Sequence, residues 1–406
     1  MRILYVNKFH YLKGGSEKYY FELAELMKKK GHEVAFFSME DEKNIKTGDK
    51  EYFVKKIDLN TSSKLKALDV IYSKENEKKM IEAIEDFKPD IVHVNNFQRQ
   101  LSASIIKATN KKNIPIVFTA HDMQAICPAS AMLYEGRICE DCIKKGYKAC
   151  IEKNCIKKSK LKSILGVMEA KYYRINKIYK KIDYIIAPSE FIKLQLIKGK
   201  LEYKKMQTLH NFVINEEDES NKIIGDYAFY FGRLSIEKGI LNLIEAIKNI
   251  RNGKLIIAGD GPEKDKIIEF IKENKLEDRV RLVGYLNQKE IRNYIRNSRF
   301  VVVPSIWYEN CPYSILETME IGKPIIGSQI GGIPELIENE RNGFLYKYND
   351  INELSEKMKI LFTNTKIVKN QSKMSRMIYE EKYSENIYYN EIINIYYTLA
   401  KENKNV

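Results

Sequence analysis

Short, uninterrupted apolar runs alternate along the chain with segments whose apolar residues recur every three or four positions. Residues 3–6, 34–37, 90–94, 116–119 and 184–187 are runs of Val, Ile and aromatic residues without polar alternation, the pattern of strands buried on both faces of a parallel sheet. A helix is expected from Ser16, as cap, to near Gly31. After an acidic stretch, Glu216, Glu217, Asp218 and Glu219, the rhythm restarts, with strands expected at 227–231, 255–258, 280–283, 300–303 and 324–327. Helices are expected at 240–249 and 262–273, the second opened by Pro262. Two βαβ series in tandem predict two doubly wound α/β domains, 1–210 and 211–383, facing a central cleft. A last helix, rich in Tyr and Ile at helical spacing, is expected at 384–400.

The segment 159–182 is amphipathic. Leu161, Ile164, Leu165, Met168, Tyr172, Ile175, Tyr179 and Ile182 fall at helical spacing among Lys and Arg. Two readings are open: a helix packed on its own sheet, or one that also meets an anionic membrane surface.

Composition changes this picture in one respect. With 44% hydrophobic and 31% charged residues the 406-residue chain is ordinary globular material, too long for one core. No apolar run approaches the roughly 20 residues of a membrane span, and Met1 leads straight into a strand pattern, so a cytoplasmic protein is expected. The net charge of +14 is uneven. Residues 1–210 carry 41 basic and 26 acidic side chains (+15), whereas 211–406 carry 28 and 29 (−1). Residues 144–181 alone hold 13 basic and 2 acidic ones. Such a face attracts phosphates of nucleic acid, lipid or a phosphorylated acceptor.

The chemistry-bearing motifs sit at strand ends. Gly232-Arg233-Leu234-Ser235-Ile236-Glu237-Lys238-Gly239 follows one strand and opens a helix, so Arg233 and Lys238 can reach a diphosphate near a helix N-terminus. Ala258-Gly259-Asp260-Gly261-Pro262 is a second tight turn. Glu309 and Glu317, eight apart across a loop and the next helix, can accept hydroxyls of one ligand at two depths. Gly331-Gly332 makes a further turn, and Arg341-Asn342-Gly343-Phe344-Leu345 reads as a hairpin.

Taken in order, GRLSIEKG, AGDGPE, VRLVGYL, the E-x7-E element, GGIPELI and NGFLY resemble the large family of retaining GT-B glycosyltransferases (group 1, family 4) that assemble bacterial surface glycans. The resemblance implies a GT-B fold of two Rossmann-like domains, with the last helix, 384–400, crossing back onto the first domain, and sugar transfer from a nucleotide-diphosphate sugar to a lipid-linked or polysaccharide acceptor. It assigns Arg233 and Lys238 to the diphosphate, Glu309 to the donor sugar and Glu317 to ribose. Val283, Gly284 and Tyr285 would sit by the base. Gly14 and Gly15 would bring amides to the donor phosphate, and His121, in Thr119-Ala120-His121-Asp122, would hydrogen-bond the donor sugar. Asn310-Cys311-Pro312 departs from the Gly or Phe common between the two Glu, which leaves the sugar open. No cofactor is implied for catalysis. Peripheral attachment at the inner face of the membrane is expected of such an enzyme.

Five of the six cysteines fall between Cys127 and Cys155, and Cys139, Cys142, Cys150 and Cys155 have C-x2-C-x7-C-x4-C spacing. Structural zinc, unliganded thiols, and an iron–sulfur cluster or disulfides are all open. This insertion, 127–182, is expected over the acceptor side of the first domain. Other classes fare less well. A basic polyanion- or nucleic-acid-binding protein fits the charge but lacks a recognisable module with interleaved aromatics, so no specific nucleic acid is expected. A dinucleotide oxidoreductase would need G-x-G-x-x-G after the first strand. The E-x7-E element argues against a sugar-nucleotide epimerase. An inactive homologue stays as an alternative.

Overall fold

The computed structural model describes residues 1–57, 66–215 and 223–404; the acidic stretch 216–219 lies outside them. The chain forms two compact units. One holds Met1–Tyr134, Cys139–His210 and Tyr388–Val406; the other holds Glu135–Ile138 and Asn211–Ile387.

The first unit is built on a seven-stranded sheet in the order Lys50–Val54, Glu33–Met39, Arg2–Val6, Ile91–Val94, Ile116–Thr119, Tyr184–Ala187, Met206–Thr208. Every pairing is parallel. The central strands are apolar because both faces are covered: Ile91–Val94 and Ile116–Thr119 are buried at every position. The order reverses between Arg2–Val6 and Ile91–Val94, where a doubly wound sheet opens a crevice at its carboxyl edge. Helix Glu385–Lys404 contributes buried Tyr388, Ile392 and Tyr396. Tyr388 bonds Tyr19, and Tyr396 bonds His93, so its last four turns belong to this unit.

The second unit repeats the plan with six parallel strands, in the order Val280–Gly284, Lys254–Ala258, Tyr227–Phe231, Phe300–Val303, Ile325–Ser328, Gly343–Tyr346. Its switch point lies between Tyr227–Phe231 and Phe300–Val303.

Four expectations need correction. Gly343–Tyr346 is a parallel edge strand on Ile325–Ser328 and no hairpin. Asn342 closes its own loop instead, donating to the Leu336 carbonyl at 3.1 Å and accepting from the Glu338 amide at 2.8 Å. Ser16 is not a cap: the first helix runs Gly15–Lys29 with Gly14 at its N-cap, and the Ser16 hydroxyl donates to Glu17 at 2.9 Å. The segment 159–182 is α-helical only over Lys160–Ile175; a 3-10 turn follows at Tyr179–Lys181, and Tyr179 and Ile182 are core residues. Lastly, Glu135–Ile138 of the insertion belongs to the second unit, where Ile138 packs on the core around Cys311 and Ile330.

Candidate active site

In the second unit the loops after three neighbouring strands interlock. The Leu234 amide donates to the Asp260 carbonyl (2.9 Å), the Glu263 amide to the Leu234 carbonyl (3.0 Å) and the Gly259 amide to the Gly284 carbonyl (2.7 Å). The loops carrying Arg233, Gly259 and Val283-Gly284-Tyr285 therefore form one backbone-bonded rim. Tyr285 is 80% exposed on it, an open ring surface.

Two glycines let the charged loops meet. Gly239 has φ +66°, and a Cβ there would lie 2.1 Å from the Pro304 carbonyl oxygen. Gly331 has φ +61°, and a Cβ there would lie 2.3 Å from the Glu309 carbonyl oxygen. The first brings Lys238 against the 304–309 loop, and the second supports Glu309 from below. Lys238 Nζ donates to Glu309 Oε1 at 2.6 Å, and the Ser305 hydroxyl donates to the same oxygen at 2.7 Å. Glu309 is 7% exposed. Burial works against its charge, but Lys238 and Ser305 outweigh it and hold the carboxyl below the ordinary range. Arg233 is exposed and makes no ion pair among the described residues. Glu317 is buried on helix Tyr313–Ile321. The arrangement offers an ionised acceptor for hydroxyl groups, a lysine that can be shared with an incoming anion, and a free guanidinium. Cys311 is buried, its thiol pushed by burial up to about 12, and its carbonyl accepts from Asn211 at 3.2 Å; it is a packing residue.

The first unit assembles a different set. His121 follows Ile116–Thr119, and its Nε2 lies 2.8 Å from Asn95 Oδ1. An amide oxygen only accepts, so in this orientation of the Asn95 amide Nε2 is the donor. Tyr19 presents its ring edge-to-face 4.8 Å from His121. Its hydroxyl bonds Thr119 at 3.1 Å, and Thr119 in turn bonds His93 at 2.8 Å. Burial pushes both imidazoles down to about 3, so they are neutral near pH 7. Asn95 went unnoticed in the sequence, where nothing distinguishes it from Asn96. It is fully buried, and its Nδ2 has no hydrogen-bond partner among the described residues. Gly14 is extended (φ −172°), and its side of the helix faces Asn7, which donates to Glu17 at 3.3 Å.

The thiols of the insertion lie close together, Cys139 at the edge of the group. Cys139 lies 3.5 Å from Lys153 Nζ. Cys127 joins the others, in a chain of thiol contacts from Cys127 to Cys142, Cys142 to Cys150 and Cys150 to Cys155. Among the described residues no group of three or more His, Cys, Asp or Glu is set to hold a metal ion.

Comparison with known proteins agrees with the loops. Residues 13–217 match the model for Glycosyltransferase Family 4, and 213–381 match Glycosyl transferases group 1. The chain belongs to this glycosyltransferase family. An uncharacterised glycosyltransferase of Methanocaldococcus jannaschii is 36% identical over 46% of this chain and 52% of its own. The UDP-Gal:α-D-GlcNAc-diphosphoundecaprenol α-1,3-galactosyltransferase of Escherichia coli is 35% identical over 40% and 44%. The glycosyltransferase thus spans about half the length of these curated relatives. It superposes on the solved structure of Anabaena HepE in complex with UDP with a TM-score of 0.71 and 17% identity, over 98% of this chain and 100% of that one. That likeness, with the two parallel sheets, makes this a GT-B fold of two Rossmann-like domains.

Proposed function

We propose that this glycosyltransferase moves a sugar from a nucleotide-diphosphate sugar to a hydroxyl of a lipid-linked or polysaccharide acceptor, with retention of configuration, in cell-surface glycan assembly at an anionic membrane surface. The observation that carries the reading is the Lys238–Glu309 ion pair, its carboxylate buried, with the exposed Arg233 on the same loop as Lys238, at the carboxyl edge of a doubly wound sheet. A UDP-bound Anabaena neighbour of like fold and an E. coli relative named for a UDP-galactose donor and a diphosphoundecaprenol-linked acceptor support it.

In this reading Arg233 and Lys238 bind the donor diphosphate, and Glu309, released from part of its bond to Lys238, accepts hydroxyls of the transferred sugar. Glu317 takes ribose hydroxyls, and Val283, Gly284 and Tyr285 border the base. The amides at Gly14 and Gly15 approach phosphate, and His121 hydrogen-bonds the donor sugar. The acceptor oxygen bonds the anomeric carbon on the face the diphosphate leaves. The bond from that carbon to the diphosphate oxygen breaks, and the acceptor proton passes to the departing phosphate. Arg233 and Lys238 stabilise the charge that grows there, so their effect is larger in the transition state than in the ground state.

The test is transfer from UDP-, GDP- and ADP-sugars to a lipid-linked acceptor, with the product anomer read by NMR. Glu309→Gln should fold and lose about 10²–10³ in kcat, the scale for one preorganised electrostatic group. Full activity in that variant, or an inverted anomer, contradicts the reading.

A further inference from the structure

Helix Lys160–Ile175 buries a partly polar face and exposes an apolar one. Toward its own unit it turns Ser163, Gly166, Val167, Glu169 and Tyr173. Glu169 is satisfied there by the Arg99 amide at 2.6 Å. Toward solvent it turns Leu161 (75% exposed), Met168 (44%) and Ile175 (77%). These three are seven apart, so they drift by only about 20° per step and form one stripe about 21 Å long. Half-buried Ile164, Leu165 and Tyr172 fill the gaps along it. A helix whose only partner was its own sheet would be expected to carry the opposite arrangement.

The charges around the stripe are as unusual as the stripe. Lys157, Lys158, Lys160, Lys171 and Lys177 are exposed and make no ion pair among the described residues. Just upstream, Lys144, Lys145, Lys148 and Lys153 are each paired with an acid. Unpaired cations therefore gather where the apolar side chains are exposed. Lys160 and Lys171 border the stripe at about 80–100° around the helix axis.

We propose that this face docks on an anionic phospholipid bilayer, with Leu161, Met168 and Ile175 entering the acyl boundary and the flanking lysines meeting lipid phosphates. This deepens, and rests on, the reading of a membrane-presented acceptor by naming the surface that engages. Among the described residues no helix is long and apolar enough to cross a membrane, so the helix lies in the interface plane. A nucleic acid would satisfy the lysines but offer no apolar phase to the stripe. A second copy of the chain would satisfy the stripe but set the same five cations against one another across a two-fold axis. Only a surface with phosphate beside hydrocarbon answers both.

The test is co-sedimentation of the full chain with vesicles of phosphatidylcholine alone or mixed with phosphatidylglycerol. The wild type should pellet with the mixed vesicles and far less with the neutral ones. The triple variant Leu161→Gln, Met168→Gln, Ile175→Gln should keep its Tm and lose about tenfold or more in vesicle affinity. So should Lys157, Lys158, Lys160, Lys171 and Lys177 all changed to Gln. Unchanged binding by the triple variant would overturn the proposal, leaving plain polyanion attraction. A wild-type dimer in light scattering that the triple variant dissolves would overturn it in favour of self-association. The UDP-induced thermal shift is measured on every variant. A chain that binds UDP but no vesicle sinks this inference alone, and one that binds vesicles but no nucleotide sinks the proposed transfer instead.

Discussion

The two units share a sheet plan and differ in how each holds its candidate residues. In the second unit the charged groups lie within short loops, Arg233 to Lys238 and Ser305 to Glu309, joined by backbone hydrogen bonds and by an ion pair of 2.6 Å. In the first, His121 depends on Asn95, Tyr19, Thr119 and His93, and through these on Tyr388 and Tyr396 of the last helix. One site is electrostatic and local, and the other is neutral, buried and assembled across the chain. All five histidines of the protein lie in the first 210 residues, and its single tryptophan, Trp307, lies in the second unit. One sheet plan thus prepares charge in one unit and neutral hydrogen bonding in the other.

The largest effect that would break this contrast is at the ion pair. Lys238→Ala strands a carboxylate that is 7% exposed. Breaking a buried pair from one side costs about 3–5 kcal/mol, here less, about 1–3 kcal/mol, because Lys238 keeps some solvent contact. Adding Glu309→Gln removes the stranded charge, so the double variant should melt above the Lys238→Ala single. Equal or lower Tm in the double variant would mean that the pair does not act as a charge-compensated unit.

The next effect separates the units by pH. Burial lowers the pKa of His93 and His121 to about 3 from 6.5, so the unfolded chain binds more protons between those values. Stability from their neutral forms is whole above about 6.5 and is lost progressively as pH falls toward 3. His10 and His32, also lowered by burial, add to this. Glu169 and Asp122, raised by burial, act the other way but are outnumbered. Glu309 is depressed, so its contribution is present above its unfolded value of 4.5 and fades only as pH falls through its folded pKa. Acid should therefore loosen the first unit before the second. Far-UV circular dichroism should begin to change at higher pH than Trp307 fluorescence, and coincident transitions would erase the distinction.

How much of this the sequence discloses follows the same division. Central strands such as Ile116–Thr119 and Phe300–Val303 were legible because burial on both faces demands unbroken apolar runs. Lys50–Val54 and Met206–Thr208 were not, since edge strands with half-exposed positions carry mixed patterns. The Asn342-Gly343 dipeptide mimics a hairpin signal, and only the buried Asn342 side chain shows why it serves a parallel strand. Arg233, Lys238 and Glu309 could be singled out because local loops position them. Asn95 and Tyr396 could not, because their partners are 26 and 303 residues away. The stripe Leu161, Met168, Ile175 was visible as periodicity, but which face it turned outward required the packing of Glu169 and Tyr173.

The account turns on whether the loops of the second unit bind a nucleoside diphosphate, and thermal shift against UDP, GDP and ADP asks this directly. A ligand held only by the folded chain at 100 times its Kd should add about 2.7 kcal/mol. The account predicts a shift selective for one nucleotide in the wild type and its loss in Lys238→Ala. No shift with any of the three, or an undiminished shift in Lys238→Ala, would contradict it.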